Sequence, residues 1–216
     1  MKQMNAEELA PAVRKGSISQ DDLIQAAMSL IGPTRSMATL SLREVARTAG
    51  IAPNSFYRHF RDVDELGIAL IALAGSSLRH VFSEARQRIS AGSSVVQTSL
   101  NVFYEQLNAK ERYLELLLCE GRVGSLAYQA EVDRQLQFFE HELTSDLIRL
   151  EAQNANKLHE PTIVAKAITR LVFSMGAQAV AKSPEQQQEL LEQTATMVYM
   201  ILAGARALAA PTEPTV

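Results

Sequence analysis

The chain has 216 residues, 47% of them apolar, and a formal net charge of −3, so it is long and apolar enough to bury a core. Its single cysteine, Cys119, excludes an intramolecular disulfide bond and fits a reducing compartment. The longest apolar run, residues 68–75, is too short to cross a bilayer, and no signal peptide is evident, so we expect no membrane contact.

Helix signals follow one another along the chain, and no alternating β-branched run predicts a strand. Residues 1–18 lack periodicity and are expected to be a flexible leader. Capping-box spacings predict helices that begin after Ser19, Ser41 and Asp62, the last one running to about residue 90. Further helices are predicted at about 53–59, 94–108, 110–121, 126–152, 161–181 and 184–209, followed by a tail at 210–216.

Residues 41–60, SLREVARTAGIAPNSFYRHF, contain the most informative pattern. Two short helices joined by a turn at Gly50 match the helix-turn-helix, whose second helix enters the major groove of DNA. Five arginines and one acid lie between residues 35 and 61, although the whole chain is acidic. Such a local basic patch is typical of a surface that contacts phosphate.

The second helix of this motif carries the candidates for reading bases. Asn54 and Ser55 begin the helix and can reach base edges, and Arg58 lies one turn further on, where a guanidinium can bind guanine. Phe56 and Phe60 are four residues apart and are expected to pack the small domain instead.

Other residues of the motif suit the DNA backbone. Arg43 and Arg47 share one face of the supporting helix, and Tyr57 and His59 can donate to phosphate oxygens. The full set of predicted DNA-binding residues is Arg43, Arg47, Pro53, Asn54, Ser55, Tyr57, Arg58 and His59.

The same motif resembles the TetR family of bacterial transcriptional repressors. Val45-Ala46, Ala49-Gly50 and the run from Phe56 to Phe60 match the family pattern in place. From residue 35 to residue 99 the chain is similar to one branch, the repressors of unsaturated fatty acid synthesis and acyl-chain desaturation. The resemblance implies a dimer, a palindromic double-stranded operator, a long-chain acyl-coenzyme A ligand and a cytoplasmic, nucleoid-associated bacterial protein.

These observations predict an all-α fold in two parts. A helix-turn-helix DNA-binding domain of three helices occupies residues 19–65, and a larger helical ligand-binding and dimerisation domain occupies residues 66–209. The broad apolar stripes of 161–181 and 184–209 indicate either an intramolecular hairpin or, as we favour, a four-helix bundle with a second subunit. Leu202 is the residue that we assign to this interface.

The helices between residues 62 and 181 are expected to enclose a cavity for the apolar ligand. The predicted lining is Phe103, Leu107, Leu117, Leu118, Phe138, Phe139 and Phe173. Arg86, Arg88, Arg112 and Arg122 are available for the phosphates of a coenzyme A thioester, and the sequence does not choose among them.

No catalytic constellation, metal-ligand spacing or cofactor motif occurs, so we expect no enzymatic activity, no metal and no cofactor. Cys119 is expected to be buried and inert. Two alternatives remain: a TetR-like repressor that responds to another apolar small molecule, and a helical lipid-binding protein or enzyme with an incidental helix-turn-helix.

Overall fold

The computed structural model describes residues 18–32, 35–87, 95–154 and 157–209. Within these ranges the chain forms a 3-10 turn at Met37–Thr39 and the helices α1 (Gln20–Leu30), α2 (Leu42–Thr48), α3 (Pro53–Phe56), α4 (Val63–Gln87), α5 (Val95–Leu107), α6 (Tyr113–Val123), α7 (Leu126–Asn154), α8 (Pro161–Ala179) and α9 (Pro184–Ala209). No strand occurs in these ranges, which confirms the all-α fold class. The predicted leader, apart from Ile18, and the predicted tail lie outside the described residues.

The predicted capping boxes differ in how they form. At α1 the Asp22 amide donates to Ser19 Oγ at 3.2 Å, and the Ser19 amide donates to the Asp22 carboxylate at 2.8 Å. At α2 the Glu44 amide donates to Ser41 Oγ at 3.3 Å, but the Glu44 carboxylate instead binds the guanidinium of Arg35 at 2.8 Å. The α2 cap is therefore one-sided, because a better charged partner takes the acid.

One element and two element ends differ from the prediction. The 3-10 turn was not expected, and α3 ends at Phe56 because the amides of Arg58 and His59 bond three residues back, as in a tight turn. α6 begins at Tyr113 rather than near residue 110, because Arg112 has a left-handed φ of 54° that cannot belong to the helix.

α4 crosses the predicted boundary between residues 65 and 66 without a break. Its apolar stripe packs into the core as predicted, and the fully buried members include Leu66, Leu70, Ala74 and Leu78. The two parts of the chain therefore share one 25-residue helix, about 37 Å long at the rise of an α-helix.

One helix in the described part of the chain, Val63–Arg86, is long and apolar enough by length and composition to cross a membrane. The sequence expectation, which counted only unbroken apolar runs, did not find it. This is weak evidence for a membrane, because 44% of the window is buried inside the protein and a core helix passes the same test.

The α8–α9 hairpin buries most of its predicted stripes within the chain. Val164, Val172 and Val198 are buried, but Leu208 is 71% exposed. Leu202 is buried in the interior of the same chain. The assignment of Leu202 to an intersubunit surface was therefore wrong, since its side chain already has intramolecular neighbours.

α6 holds the segment that joins α1 to α2. The Glu120 carboxylate, on a residue that is 1% exposed, accepts from the Met37 amide at 2.7 Å and from Ser36 Oγ at 2.9 Å. At the other end of α6, Arg112 donates to the carbonyl of Ile31 at 3.2 Å. A cation is favourable there, because Ile31 ends α1 and helix carbonyls point towards it.

α7 holds the start of α4 in a similar way. The Tyr128 hydroxyl donates to Asp64 Oδ1 at 3.0 Å, and burial, with Asp64 nearby, raises the pKa of this fully buried tyrosine. The ring lies so close to α4 that a Cβ on Gly67 would come within 2.5 Å of it. The contacts from α6 and α7 therefore orient the first three helices on the rest of the molecule.

We predict that Glu120→Ala lowers the free energy of unfolding by about 1–3 kcal/mol, because it leaves a buried amide and a hydroxyl without an acceptor. Urea denaturation followed by circular dichroism measures this change. Glu105→Ala, which removes an exposed glutamate from α5, is the matched control and should change stability by no more than about 0.5 kcal/mol. Equal stabilities of the two variants would contradict the structural role of Glu120.

Candidate DNA interface and ligand cavity

The turn between α2 and α3 is a Schellman motif. The Ile51 amide donates to the carbonyl of Ala46 at 2.9 Å, and the Gly50 amide donates to that of Arg47 at 3.1 Å. Gly50 has a φ of 71°, which glycine adopts without strain. No atom lies within 4 Å of the place where its Cβ would be, so the need for glycine is conformational.

The short helix α3 presents most of its predicted DNA-binding residues to solvent. Pro53 stands in its first turn, and Asn54, Tyr57 and Arg58 are exposed, Tyr57 by 61%. Ser55 and His59, by contrast, are partly buried.

The two phenylalanines of the motif form the support for this surface. Phe56 is fully buried and Phe60 is 2% exposed, with ring centroids 5.9 Å apart, which confirms their predicted packing role. The Tyr57 ring meets Phe56 edge-on at 6.1 Å. The exposed face of α3 is thus fixed by an aromatic contact to the core beneath it.

The five arginines of the basic segment fall into two groups. Arg35 pairs with Glu44 at 2.8 Å and Arg61 pairs with Glu65 at 3.2 Å, so both charges are neutralised inside the domain. The other three are exposed and have no ion-pair partner among the described residues; these are Arg43, Arg47 and Arg58. All three belong to the predicted DNA-binding set. A count of charges in the sequence does not distinguish these unpaired arginines from the two paired ones.

A cavity of about 390 Å³ lies between α4, α5, α7, α8 and α9. Its wall includes a closed cycle of four phenylalanines, each from a different helix: Phe82, Phe103, Phe173 and Phe139. Successive ring centroids are 5.4–6.1 Å apart, within the range of favourable aromatic contacts.

The structure brings Phe103, Phe139 and Phe173 of the predicted lining to the cavity wall. Leu107, Leu117 and Leu118 are buried but do not line it. Phe138 is 42% exposed and lies under the guanidinium of Arg79 at 4.8 Å. Neighbouring helix positions point in different directions, so Phe138 and Phe139 separate onto two faces, and a list of apolar residues cannot distinguish them.

Other residues of the cavity wall were not predicted. They lie on helix faces for which the sequence predicted only a role in the core. Besides Phe82, they include Leu143, Leu147, Val172, Val198 and Leu202. No feature of the sequence marks them as lining rather than filling the interior.

Charged residues lie near the ends of the helices at the other side of the cavity. Arg86 Nε is 2.5 Å from Asp146 Oδ2, although not in hydrogen-bond geometry, and the Glu151 carboxylate accepts from the amide of Leu158. Arg206 also lines the cavity, is exposed, and has no ion-pair or hydrogen-bond partner among the described residues. It is therefore the cation available to a ligand.

The arginines considered from the sequence lie elsewhere, except Arg86. Arg112 binds α1, and Arg122 donates to the carbonyl of Ala177 at 3.4 Å, so neither lines the cavity. Arg88 lies outside the described residues.

Other reactive groups are few in the described part of the chain. It contains no group of three or more His, Cys, Asp or Glu side chains that could hold a metal ion. Cys119 is partly buried, and burial together with Glu115 and Glu120 raises the pKa of its thiol. A raised pKa keeps the thiol protonated and disfavours nucleophilic chemistry.

Solved structures of bacterial regulators share this architecture. A transcriptional regulator from Pseudomonas aeruginosa PAO1 has a TM-score of 0.68 and 14% identity, over 88% of this chain and 92% of that one. The fatty acid degradation regulator FadR from Bacillus halodurans has a TM-score of 0.67 and 13% identity, over 83% and 93%. AibR, in complex with isovaleryl coenzyme A and operator DNA, has a TM-score of 0.60 and 13% identity, over 83% and 97%.

At these identities the structural similarity shows only a shared fold. A comparison of the sequence with family models gives separate information. Residues 23–70, from α1 into α4, match the family described as bacterial regulatory proteins, tetR family. The match contains the Gly50 turn, the exposed face of α3 and the three unpaired arginines. Residues 23–70 are therefore similar to the N-terminal domain of this family, and the helical body that follows shares its fold with the solved bacterial regulators.

Proposed function

We propose that the protein is a ligand-responsive transcriptional repressor that binds a palindromic DNA operator through α2 and α3. The observation that carries this proposal is the exposed surface of Asn54, Tyr57 and Arg58 beside the unpaired Arg43 and Arg47, within a tetR-family domain. An acidic body with one basic face favours contact with DNA through that face alone. Selection of bound genomic fragments, followed by sequencing, tests the proposal and identifies the operator.

The exposed residues form two groups: those that we expect to contact base edges and those that we expect to contact phosphates. Asn54 lies on α3 and Arg58 lies in the turn that follows it; both are exposed, and amide and guanidinium groups suit adenine and guanine edges. Arg43 and Arg47, on α2, suit phosphates on the flank, together with Tyr57. Ser55 and His59 are partly buried, so we assign them a supporting contact with the backbone.

We predict that Arg58→Ala weakens binding to the operator by about 1–3 kcal/mol and relaxes the preference for one base pair, because a bidentate base contact is lost. Fluorescence anisotropy with operator and randomised duplexes measures both effects. Arg61→Ala, whose side chain is already paired with Glu65, is the matched control and should behave like the wild type. An equal loss on operator and random DNA would identify Arg58 as a phosphate contact instead.

A second copy of the chain is the partner that we assign to the exposed face of α9. Met197, Met200 and Leu208 are 38%, 66% and 71% exposed, and with Gly204 they recur at helical spacing along one face. Gly204 has open space around its missing Cβ, which allows a close helix. A two-fold dimer matches a palindrome, with half-site centres about 34–36 Å apart or a multiple of this.

We predict that Met200→Arg yields a monomer, because it would place an unpaired charge inside the bundle. Sedimentation velocity measures the mass, and the variant should also bind the operator more weakly than the wild type. Ile148→Arg, which changes a 52% exposed residue of α7, is the matched control and should stay dimeric. A dimeric Met200→Arg variant would refute this interface.

The ligand that we propose is a long-chain acyl-coenzyme A, and the regulated genes those of fatty acid synthesis or desaturation. The cavity falls within the usual range of ligand sites, roughly 300–1,000 Å³. Its apolar wall can bury an alkyl chain at about 0.8 kcal/mol per CH₂, and Arg206 offers a cation for the head group. Structural neighbours include a fatty acid degradation regulator and a complex with isovaleryl coenzyme A, which supports this class.

We predict that oleoyl-coenzyme A strengthens operator binding and palmitoyl-coenzyme A weakens it, because a cis double bond bends the chain that the wall must fit. The expected coupling is about 1–3 kcal/mol, or roughly 5- to 150-fold in operator affinity. Anisotropy titrations below the micelle concentrations measure it. Arg206→Ala should weaken the binding of both thioesters, and Arg206→Lys, which keeps the charge, should weaken it less. If neither thioester binds, the acyl assignment fails while the DNA-binding proposal stands.

A further inference from the structure

Thr169 is a largely buried residue that lines the cavity. The residue is 6% exposed and lies on α8, four positions before Phe173 of the phenylalanine cycle. The two side chains therefore share a helix face, with Thr169 about 6 Å nearer the start of α8. Thr169 thus lies part-way along the apolar wall.

The Thr169 hydroxyl has no hydrogen-bond partner among the described residues, whereas three other helical threonines bond within their own helix. Thr144, Thr194 and Thr196 each donate to the carbonyl four residues earlier, at 2.8, 2.6 and 2.9 Å. This local bond is the usual way in which a threonine satisfies its hydroxyl within a helix. Thr169 makes no such bond to Ala165, so its donor and acceptor are open to whatever fills the cavity.

A hydroxyl in an apolar site favours one kind of occupant. A plain hydrocarbon chain would leave it without a partner, which is unfavourable, whereas an oxygen at the same depth would satisfy it. The hydroxyl is uncharged and can donate or accept, so it selects a neutral oxygen function rather than an ion.

We propose that Thr169 is a specificity-determining residue, which selects a ligand with a hydroxyl or carbonyl oxygen part-way along an otherwise apolar chain. The inference rests on the ligand part of the proposed function and narrows it. The distal end of such a chain packs on the phenylalanine cycle, its oxygen meets Thr169, and its polar head lies towards Arg206. A hydroxyl or carbonyl oxygen part-way along the chain distinguishes this ligand class from simple saturated and unsaturated acyl chains.

The test compares three probes that differ at one carbon: octadecanoic acid, 12-hydroxyoctadecanoic acid and 12-oxooctadecanoic acid. Isothermal titration calorimetry below their micelle concentrations gives the affinity of each for the full chain. The decisive quantity is the ratio of the affinity for an oxygenated acid to that for the plain acid. Thr169→Val, which replaces the hydroxyl by a methyl group of similar shape, should lower this ratio by about 3- to 10-fold.

The two oxygenated probes separate the possible oxygen functions. The ketone can only accept, so a lower ratio for the ketone shows that Thr169 donates to a carbonyl. A change confined to the hydroxylated acid identifies a hydroxyl as the preferred function. Thr169→Ser, which keeps the hydroxyl, should retain the wild-type ratios.

A matched threonine outside the cavity separates specificity from stability. Thr194 is fully buried and bonded to Leu190, so Thr194→Val should lower the melting temperature and leave the affinity ratios unchanged. Thr169→Val should leave the melting temperature of the unliganded protein unchanged, because no bond within the chain is lost.

Two results would overturn the inference. If Thr169→Val binds all three acids with wild-type ratios, Thr169 does not select the ligand, and the proposed function is unaffected. If the wild type binds none of the three, the inference and the acyl-ligand part of the proposed function both fail, and only the DNA-binding part remains.

Discussion

Burial of α4 is the constraint on which the rest of the structure depends, because this helix supplies core residues to both parts of the chain. Leu66 and Leu70 lie at the end that α7 holds through Tyr128 and Asp64, and Phe82 and Arg86 form part of the cavity wall at the other end. A helix is stiff along its axis, so a displacement at one end is carried to the other. The DNA-binding surface and the cavity are therefore joined by a single rigid element.

Local signals explain why most of the fold could be predicted from the sequence. Caps, prolines and apolar spacings act within one or two helical turns, and these signals located the helices to within a few residues. Two of the failures involve partners outside the local segment. Glu44 was expected to complete a cap but pairs with Arg35, and the 3-10 turn at Met37–Thr39 is held by Glu120, which is 83 residues from Met37.

The candidate sites were predictable to different extents for the same reason. Most of the candidate DNA-binding residues lie in one contiguous segment with a specific motif, so the sequence alone was enough to propose them. The cavity, by contrast, is made by five helices, and its lining depends on how each is rotated. Phe138 is 42% exposed while its neighbour Phe139 is buried in the cavity wall, and Met200 is 66% exposed while Leu202, two positions on, is buried. Rotation of this kind is a property of tertiary packing.

A second route from the cavity avoids α4. The Phe103 ring lies 2.5 Å from where a Cβ on Gly176 would be, and Leu118 of α6 lies 3.6 Å from the same point, so glycine permits a three-way contact there. Two residues further along α6, Glu120 binds the amide of Met37. The phenylalanine cycle is thus linked to the DNA-binding unit through α4 at one place and through α6 at another. The two helices meet that unit at different points. Under the proposed function, a ligand that moved them unequally would rotate α3 relative to the body, and one that moved them together would not, so the shape of the bound chain would determine the response.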